Sequence, residues 1–222
     1  MIDYRLYLVT DDPSRYEGDW RDNVRAAVEG GVTCVQYRDT ESPRGVQFER
    51  IRQLRDALAA FKTPIIVNND AELAKAVGAE GVHVGQSDMP PAQVRALVGP
   101  RCEIGFSITS LADATAFATS ETRKFVDSLG IGPVFDARKT KADAATALGT
   151  SGLREIVQFV RSQSQIPAPL PLVAIGGITP SNAAEVLSAG AEGLAVVSAF
   201  SKAKDPHETA RNFSLLLDNR RI

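Results

Sequence analysis

The stretch GVHVGQSDMPPAQVRALV, residues 81–98, contains the structural unit that decides the fold. Its first four residues form a short β-like run around His83, as in a strand that is buried on both faces. A polar turn follows, and Pro90 stands where the first turn of a helix would begin. The segment 90–98 is amphipathic and ends before Gly99, a residue type common at helix ends. The stretch therefore predicts a buried strand, a polar loop and a helix that covers the strand.

The same unit recurs along the whole chain. Strands are predicted at 4–10, 32–37, 64–68, 81–84, 102–107, 125–131, 171–175 and 193–197. The clearest helical stretches between and after them are 43–60, 90–98, 180–190 and 206–218. Eight strand–helix units predict an α/β fold, a (β/α)8 TIM barrel that spans residues 1–222 as a single domain. A doubly wound sheet is the alternative, but eight regular units without a second domain favour closure.

The composition is that of a globular protein with balanced charge. The 222 residues include 25 Lys and Arg and 27 Asp and Glu, which gives a formal net charge of −2. This balance does not favour a general nucleic-acid binder, which usually carries a basic excess. Apolar runs stay shorter than the roughly 18 residues of a membrane helix, and the N-terminal segment lacks the pattern of a secretory signal. We therefore expect a cytoplasmic protein without nucleic-acid or membrane partners, and homo-oligomer formation stays open.

The two cysteines, Cys34 and Cys102, each lie within an apolar run. We expect two buried, reduced thiols, as in an intracellular protein. A disulfide between them is the alternative.

Small or polar residues follow every predicted strand. In a barrel of this type the carboxyl ends of the strands meet at one rim, where the chemistry takes place. The residues at these ends are Thr10 and Asp11, Gln36 and Arg38, Asn68, Asn69 and Asp70, Gln86 and Asp88, Ser107, Thr140 and Lys141, Gly176 and Gly177, and Ser198. Their convergence predicts a ligand cavity at this rim.

Gly176 and Gly177 lie between the seventh predicted strand and a helix that should begin near Pro180. Glycine lets backbone N–H groups approach an anion, and a helix N-terminus adds positive potential. The loops after strands seven and eight are the usual phosphate site of this fold. We therefore predict phosphate binding here, with a simple tight turn as the alternative.

A second anion site is indicated by basic residues. Arg138, Lys139 and Lys141 lie in the longest gap between predicted elements, and Arg38 follows the second strand. Arginine binds phosphate bidentately and lysine supplies a mobile charge, although a solvated loop is the alternative for the cluster. Asp88 among these cations is explained by Mg²⁺, which takes few protein ligands and shares phosphate oxygens and water.

The chain has only two histidines, so a histidine-rich metal site is excluded. His83 lies inside a predicted strand, where a structural role is favoured over a catalytic one. His207 precedes a predicted helix and should lie at the surface.

Eight short motifs run nearly from end to end of the chain. In order they are LYLVTD (6–11), VQYRD (35–39), GVHVGQSDMP (81–90), IGFS (104–107), LGIGPVF (129–135), TKADAA (140–145), AIGGIT (174–179) and GLAVVSA (193–199). Together they resemble the thiamine-phosphate synthase family. That resemblance implies a (β/α)8 barrel that uses Mg²⁺ and joins 4-amino-2-methyl-5-hydroxymethylpyrimidine diphosphate to 4-methyl-5-hydroxyethylthiazole phosphate, or its carboxylated form. The products would be thiamine phosphate and pyrophosphate.

The resemblance also implies roles for single residues. It assigns the pyrimidine diphosphate to Gln36, Arg38, Thr40, Asn68, Ser107 and Lys141, and the thiazole phosphate to Thr140, Gly177, Val197 and Ser198. It assigns catalysis to Arg38, Ser107 and Lys141. It assigns the metal to Asp88 and Asn69, with Asp70 as a substitute ligand.

The chain departs from the family pattern at three positions. Thr40 stands where the family has lysine, and Asn69 stands where it has a metal-binding aspartate. The family's T-x-T-K loop reads Arg138-Lys139-Thr140-Lys141, so its first threonine is absent. A carbonyl oxygen of Asn69, the carboxylate of Asp70 and the charge of Arg138 or Lys139 would compensate.

Two other functions fit these departures. Thiazole tautomerases resemble this family, but they place a histidine just after the serine of strand five, and the chain has Ser107-Ile108-Thr109-Ser110 there. A catalytically degenerate protein that binds thiamine phosphate is the second alternative. The largely intact motifs favour the synthase.

Overall fold

The computed structural model describes residues 1–136, 145–166 and 170–218. Eight parallel strands close into a barrel in chain order, with β8 paired to β1. The strands are β1 (Leu6–Val9), β2 (Cys34–Tyr37), β3 (Ile65–Asn68), β4 (Gly81–Val84), β5 (Glu103–Ile108), β6 (Ser128–Ile131), β7 (Leu172–Ile175) and β8 (Gly193–Val196). This confirms the predicted barrel and excludes the doubly wound sheet.

Helices cover the outside of the barrel. They are α1 (Trp20–Glu29), α2 (Arg44–Ala57), α3 (Ala71–Val77), α4 (Pro91–Val98), α5 (Leu111–Thr119), α6 (Gly149–Ser162), α7 (Ala183–Ser188), α8 (Ser198–Ser201) and α9 (Pro206–Asp218). The short helix α8 was not predicted, because its four residues are too few to show a helical period. The eight strands and the α-helices that follow them were expected from the strand–helix repeat, whereas two short 3-10 helices, Pro13–Arg15 and Glu121–Lys124, were not.

Helix α7 begins later than the predicted start at Pro180. The Asn182 side chain accepts a hydrogen bond from the Thr179 N–H at 2.8 Å and donates to the Gly177 carbonyl at 3.0 Å. These two bonds hold residues 179–182 in a turn before the helix, because asparagine satisfies backbone groups outside regular helix.

The barrel separates two apolar cores. Inside the barrel lie buried side chains of alternate strand residues, among them Tyr7, Cys34 and Val173. Between strands and helices lies the larger core, which includes the fully buried Phe200 and Phe213. Burial of a large apolar side chain contributes about 1.5–3 kcal/mol, so the outer core supplies most of the apolar stabilisation.

The N-terminal segment closes the end of the barrel opposite the rim. The Glu103 carboxylate accepts the Ile2 N–H at 2.6 Å and the Tyr4 hydroxyl at 3.0 Å. Burial raises the pKa of Tyr4, so its hydroxyl keeps its proton and remains a donor. The barrel is therefore open to ligands at its carboxyl end.

Cys34 and Cys102 are both buried and unpaired with each other. Cys34 lies inside the barrel and Cys102 lies in the outer core, so the alternative of a disulfide is wrong. Burial raises the pKa of Cys102 to about 11 and that of Cys34 well above its ordinary value, which keeps both as thiols. In the described ranges, no helix is long and apolar enough to cross a membrane.

Candidate functional site

A cavity of about 190 Å³ opens at the carboxyl ends of the strands. Every strand of the barrel, or the loop that follows it, contributes to the wall. The lining residues are Tyr7, Val9, Gln36, Arg38, Asn68, His83, Ser107, Thr109, Ser128, Leu129, Gly130, Gly132, Pro133, Ala145, Val173, Ile175, Gly176, Gly177, Ile178, Ala195, Val197 and Ser198. The predicted rim cavity therefore exists, and it contains Gln36, Arg38, Asn68, Ser107, Gly177, Val197 and Ser198 from the predicted site.

Gln36 and Arg38 are held in place by β1. The Gln36 amide nitrogen donates to the Tyr7 hydroxyl at 2.7 Å inside the barrel. Burial raises the pKa of Tyr7 well above its ordinary value, so this hydroxyl stays neutral. The Thr10 hydroxyl accepts the Arg38 N–H at 2.8 Å and donates to the Arg38 carbonyl at 3.2 Å. The backbone of Arg38 is thus fixed where its side chain enters the cavity wall.

The loop after β2 is organised by Asp39. Its carboxylate accepts hydrogen bonds from the Tyr37 hydroxyl at 2.9 Å, the Ser42 N–H at 2.9 Å and Arg50 Nη1 at 2.7 Å. Burial alone would raise the pKa of Asp39, but hydrogen bonds from Ser42, Tyr37 and the Glu41 N–H outweigh it and lower the pKa to about 2. This role could not be predicted from the local pattern, because it depends on Arg50 in α2.

Thr40 lies outside the cavity wall. Its side chain is exposed, and its hydroxyl donates to Glu41 Oε1 at 3.3 Å. The cavity therefore receives no charge from this position, and Arg38 is the cation that the described part of the wall contains.

His83 and Ser107 form a pair inside the cavity. His83 Nε2 lies 2.9 Å from Ser107 Oγ, across the β4–β5 pairing. The sequence favoured a structural role for His83, whereas its ring lines the ligand cavity. Only the strand alternation, with His83 and Asn68 paired across neighbouring strands, could have placed it there.

The predicted metal ligands lie in the loops after β3 and β4. Asp88 Oδ2 accepts the Gly85 N–H at 2.7 Å, which fixes a half-buried carboxylate near the rim. Asn69 is exposed with a φ of 62°, and its N–H donates to the His83 carbonyl at 2.8 Å. The two loops are therefore neighbours. Within the described ranges no three His, Cys, Asp or Glu side chains gather as a metal cluster.

Asp70 is occupied by other partners. It caps α3 by accepting the Leu73 N–H at 2.8 Å, and its second oxygen pairs with Arg44 Nε at 2.8 Å. These bonds disfavour its use as a substitute metal ligand, because capping and ion pairing would both be lost.

Gly176 and Gly177 make a close approach that other residues could not make. Their φ angles are 104° and 64°, in the region that favours glycine. The segment after β6 crosses them, since the Val134 N–H donates to the Ile175 carbonyl at 2.8 Å and Phe135 N–H to the Gly176 carbonyl at 3.0 Å. A Cβ at Gly176 would lie 2.5 Å from Pro133 Cβ. The two glycines therefore form a turn and also let the segment after β6 pack closely against them in the cavity wall.

Helix α8 continues this wall, because β8, the strand before it, pairs with β7. Val197 caps it and Ser198 begins it, and both line the cavity. The buried carboxylate of Asp11 accepts the Ser201 hydroxyl at 3.0 Å and the Asp12 N–H at 3.0 Å. Asp11 was expected at the rim, but its contact with α8 could not be predicted because α8 itself was missed.

The predicted basic loop lies outside the described residues. This applies to Arg138, Lys139, Thr140 and Lys141. Pro133 before the loop and Ala145 after it both line the cavity. The described residues on either side of this segment therefore lie at the site.

A family model described as thiamine monophosphate synthase matches residues 6–200, which is most of the barrel. The chain belongs to this family. The cavity, with its glycine pair and its polar wall, therefore lies in a member of the thiamine monophosphate synthase family.

Individual relatives are similar over nearly the whole chain. A thiamine-phosphate synthase of Chloroflexus aurantiacus is 42% identical over 217 residues, covering 98% of this chain and 94% of the relative. One of Albidiferax ferrireducens is 43% identical over 214 residues, covering 96% and 92%. The solved thiamine phosphate pyrophosphorylase of Pyrococcus furiosus superposes with a TM-score of 0.81 at 32% identity, covering 99% of this chain and 98% of that chain. The chain therefore shares both sequence and fold with these relatives.

Proposed function

We propose that the chain is a thiamine-phosphate synthase. It transfers the methylene group of 4-amino-2-methyl-5-hydroxymethylpyrimidine diphosphate to the ring nitrogen of 4-methyl-5-hydroxyethylthiazole phosphate, or its carboxylated form. A carbon–nitrogen bond forms, the carbon–oxygen bond to the diphosphate breaks, and pyrophosphate leaves with the electron pair. With the carboxylated thiazole, the carboxylate is also lost as CO2. The observation that carries the proposal is one cavity, in a member of this family, that has a polar wall on one side and a glycine-rich wall on the other.

The glycine-rich wall suits the thiazole phosphate. Gly177 presents backbone where a Cβ would collide with Phe135 in the segment after β6, and Ser198 begins α8. Exposed N–H groups at such a turn and at a short helix bind phosphate in barrels of this type. We assign Gly177, Val197, Ser198 and Thr140 to this subsite.

The polar wall suits the pyrimidine diphosphate. Arg38 is fixed through Thr10 and offers a guanidinium to phosphate oxygens. Gln36, Asn68 and Ser107 offer amide and hydroxyl groups that match an aminopyrimidine ring. Lys141 would add a second cation from the loop, and the position of Thr40 adds no charge.

We propose that Mg²⁺ binds at Asp88 and Asn69. The donor set fits this ion, because Mg²⁺ uses one or two protein oxygens and completes its shell with phosphate and water. The Asp88 carboxylate is already oriented by the Gly85 N–H, and Asn69 can offer a carbonyl oxygen. When bound, the ion would neutralise charge on the leaving diphosphate.

The protein groups would act mainly through electrostatics. As the diphosphate leaves, positive charge develops on the pyrimidine, and Arg38 and Lys141 stabilise the departing negative charge. Ser107, which lines the cavity, would orient the ring. No protein base is needed, because the thiazole nitrogen is the nucleophile.

The reaction defines the partners and the setting. The ligands are small phosphorylated molecules, and we propose cytoplasmic action without nucleic acid or membrane. The balanced net charge of −2 supports that assignment.

Product formation tests the function. Purified protein is mixed with the pyrimidine diphosphate, the thiazole phosphate and Mg²⁺, and thiamine phosphate is measured after oxidation to fluorescent thiochrome. We expect product that EDTA abolishes and excess Mg²⁺ restores. Isomerisation of the carboxylated thiazole phosphate without coupling would point to a tautomerase instead, and binding of thiamine phosphate without turnover would point to a binding protein.

A further inference from the structure

His83 is a cavity residue to which the resemblance assigned no role. We propose that His83 is a positioning residue: it accepts the hydroxyl proton of Ser107 and thereby presents the Ser107 oxygen as an acceptor to the amino group of the aminopyrimidine. The inference rests on the proposed function and names the group that prepares Ser107 for it.

The ring of His83 occupies the space that two glycines on neighbouring strands leave open. Gly105 pairs with His83 across β4 and β5, and a Cβ there would collide with His83 Nδ1. Gly130 on β6 pairs with Ser107, and a Cβ there would lie 2.9 Å from His83 Cε1. The two glycines therefore make room for an imidazole that reaches across β5 toward β6.

This placement aims one ring nitrogen at Ser107. Nε2 lies 2.9 Å from Oγ, and both residues line the cavity. Because a neutral imidazole has one donor and one acceptor nitrogen, its tautomer decides what the hydroxyl does. With the proton on Nδ1, Nε2 accepts from Ser107, and the lone pairs of Oγ are left for a ligand.

An acceptor at this place would be useful during the reaction. When the diphosphate departs, positive charge spreads from the methylene carbon through the ring to the exocyclic amino group. The amino N–H groups then become stronger donors, so a hydroxyl oxygen that accepts from them stabilises the transition state more than the ground state. A hydroxyl that already donates to His83 is a better acceptor, because hydrogen bonds in a chain polarise one another.

Nuclear magnetic resonance tests the tautomer without turnover. The chain has only His83 and His207, so ¹⁵N-labelled histidine gives two ring systems, and His207→Gln identifies the second. We expect His83 to carry its proton on Nδ1 at neutral pH, with an Nε2 resonance that shifts in Ser107→Ala. A proton on Nε2, or no shift in Ser107→Ala, would overturn the proposal even if the protein proved to have another activity.

A double-mutant cycle tests the coupling to catalysis. His83→Leu should lower kcat about tenfold, the loss expected for one hydrogen bond, and leave KM for the thiazole phosphate unchanged. His83→Gln, which retains an acceptor, should restore most of the rate. In the Ser107→Ala background His83→Leu should cause no further loss, because His83 acts through Ser107.

A purely structural role gives different results. It predicts a loss in His83→Leu that persists in the Ser107→Ala background, and no rescue by His83→Gln. The control His207→Leu lies in α9, away from the cavity wall, and should leave the rate unchanged. If wild-type protein forms no thiamine phosphate, the function proposed above fails, and the tautomer experiment still decides the Ser107–His83 bond.

Discussion

At the scale of the residue, Asp88 is the carboxylate on which the proposed metal site depends. We expect Asp88→Asn to lower kcat/KM by at least about 10²-fold, because it replaces the negative charge that attracts Mg²⁺ with a neutral amide. Steady-state thiochrome assays over a range of Mg²⁺ concentrations measure the loss. Asp22→Asn is the matched control, because that carboxylate is 71% exposed on α1. Equal activity of the two variants would remove Asp88 from the site.

Asp70 should behave differently from Asp88, because we do not expect it to bind the metal. Asp70→Ala removes the cap of α3 and the ion pair with Arg44, so we expect a loss of about 1 kcal/mol in the free energy of unfolding. The Mg²⁺ dependence should stay as in the wild type. Urea unfolding and a metal titration measure the two effects. A shifted metal requirement with unchanged stability would make Asp70 the ligand after all.

Asp39 should make stability depend on pH. Its folded pKa of about 2 lies below the ordinary value of 3.8, so it stabilises the protein above pH 4 and the contribution is lost as the pH falls through 2. The shift corresponds to about 2 kcal/mol at neutral pH. Urea unfolding of wild type and Asp39→Asn should show this difference at pH 7 and a smaller one at pH 2. A difference independent of pH would contradict it.

At the scale of the element, the strands were predictable and their exact ends less so. The run at 81–84 matches β4, whereas the run predicted at 125–131 starts only at Ser128. There Arg95 binds the Phe125 carbonyl at 3.2 Å and also pairs with the Asp127 carboxylate, which holds the chain in a loop. Such a contact joins residues 30 positions apart, so local periodicity cannot show it.

The glycine pair after β7 determines how closely the segment after β6 can pack. We expect Gly176→Ala to destabilise the barrel and raise KM for the thiazole phosphate, because the methyl group would push Pro133 and the segment after β6 outward. Gly78→Ala is the matched control, with a φ of 62° but no atom within 4 Å of its Cβ. Both glycines have a positive φ, but Gly78 lacks the collision. Thermal unfolding and steady-state kinetics separate the two, and equal effects would reduce the role of Gly176 to strain.

At the scale of the whole molecule, closure of the barrel assembles the site. Gln36, Ser107 and Gly177 lie far apart in sequence, and their convergence could be predicted because the ends of parallel strands share one rim. Three sets of hydrogen bonds could not be predicted. They are the contact between His83 and Ser107, the bond from Ser201 in α8 to Asp11, and the bonds that Asp39 accepts in the loop after β2. Each depends on a side-chain direction or a distant partner that the one-dimensional pattern does not contain.

The most direct test of the proposed synthase activity measures both products of the reaction. Thiamine phosphate and pyrophosphate are quantified together after the purified protein has acted on the two substrates with Mg²⁺. We expect the two products in equal amounts, and only when both substrates are present. Pyrophosphate without thiamine phosphate, or neither product from folded protein, would contradict it.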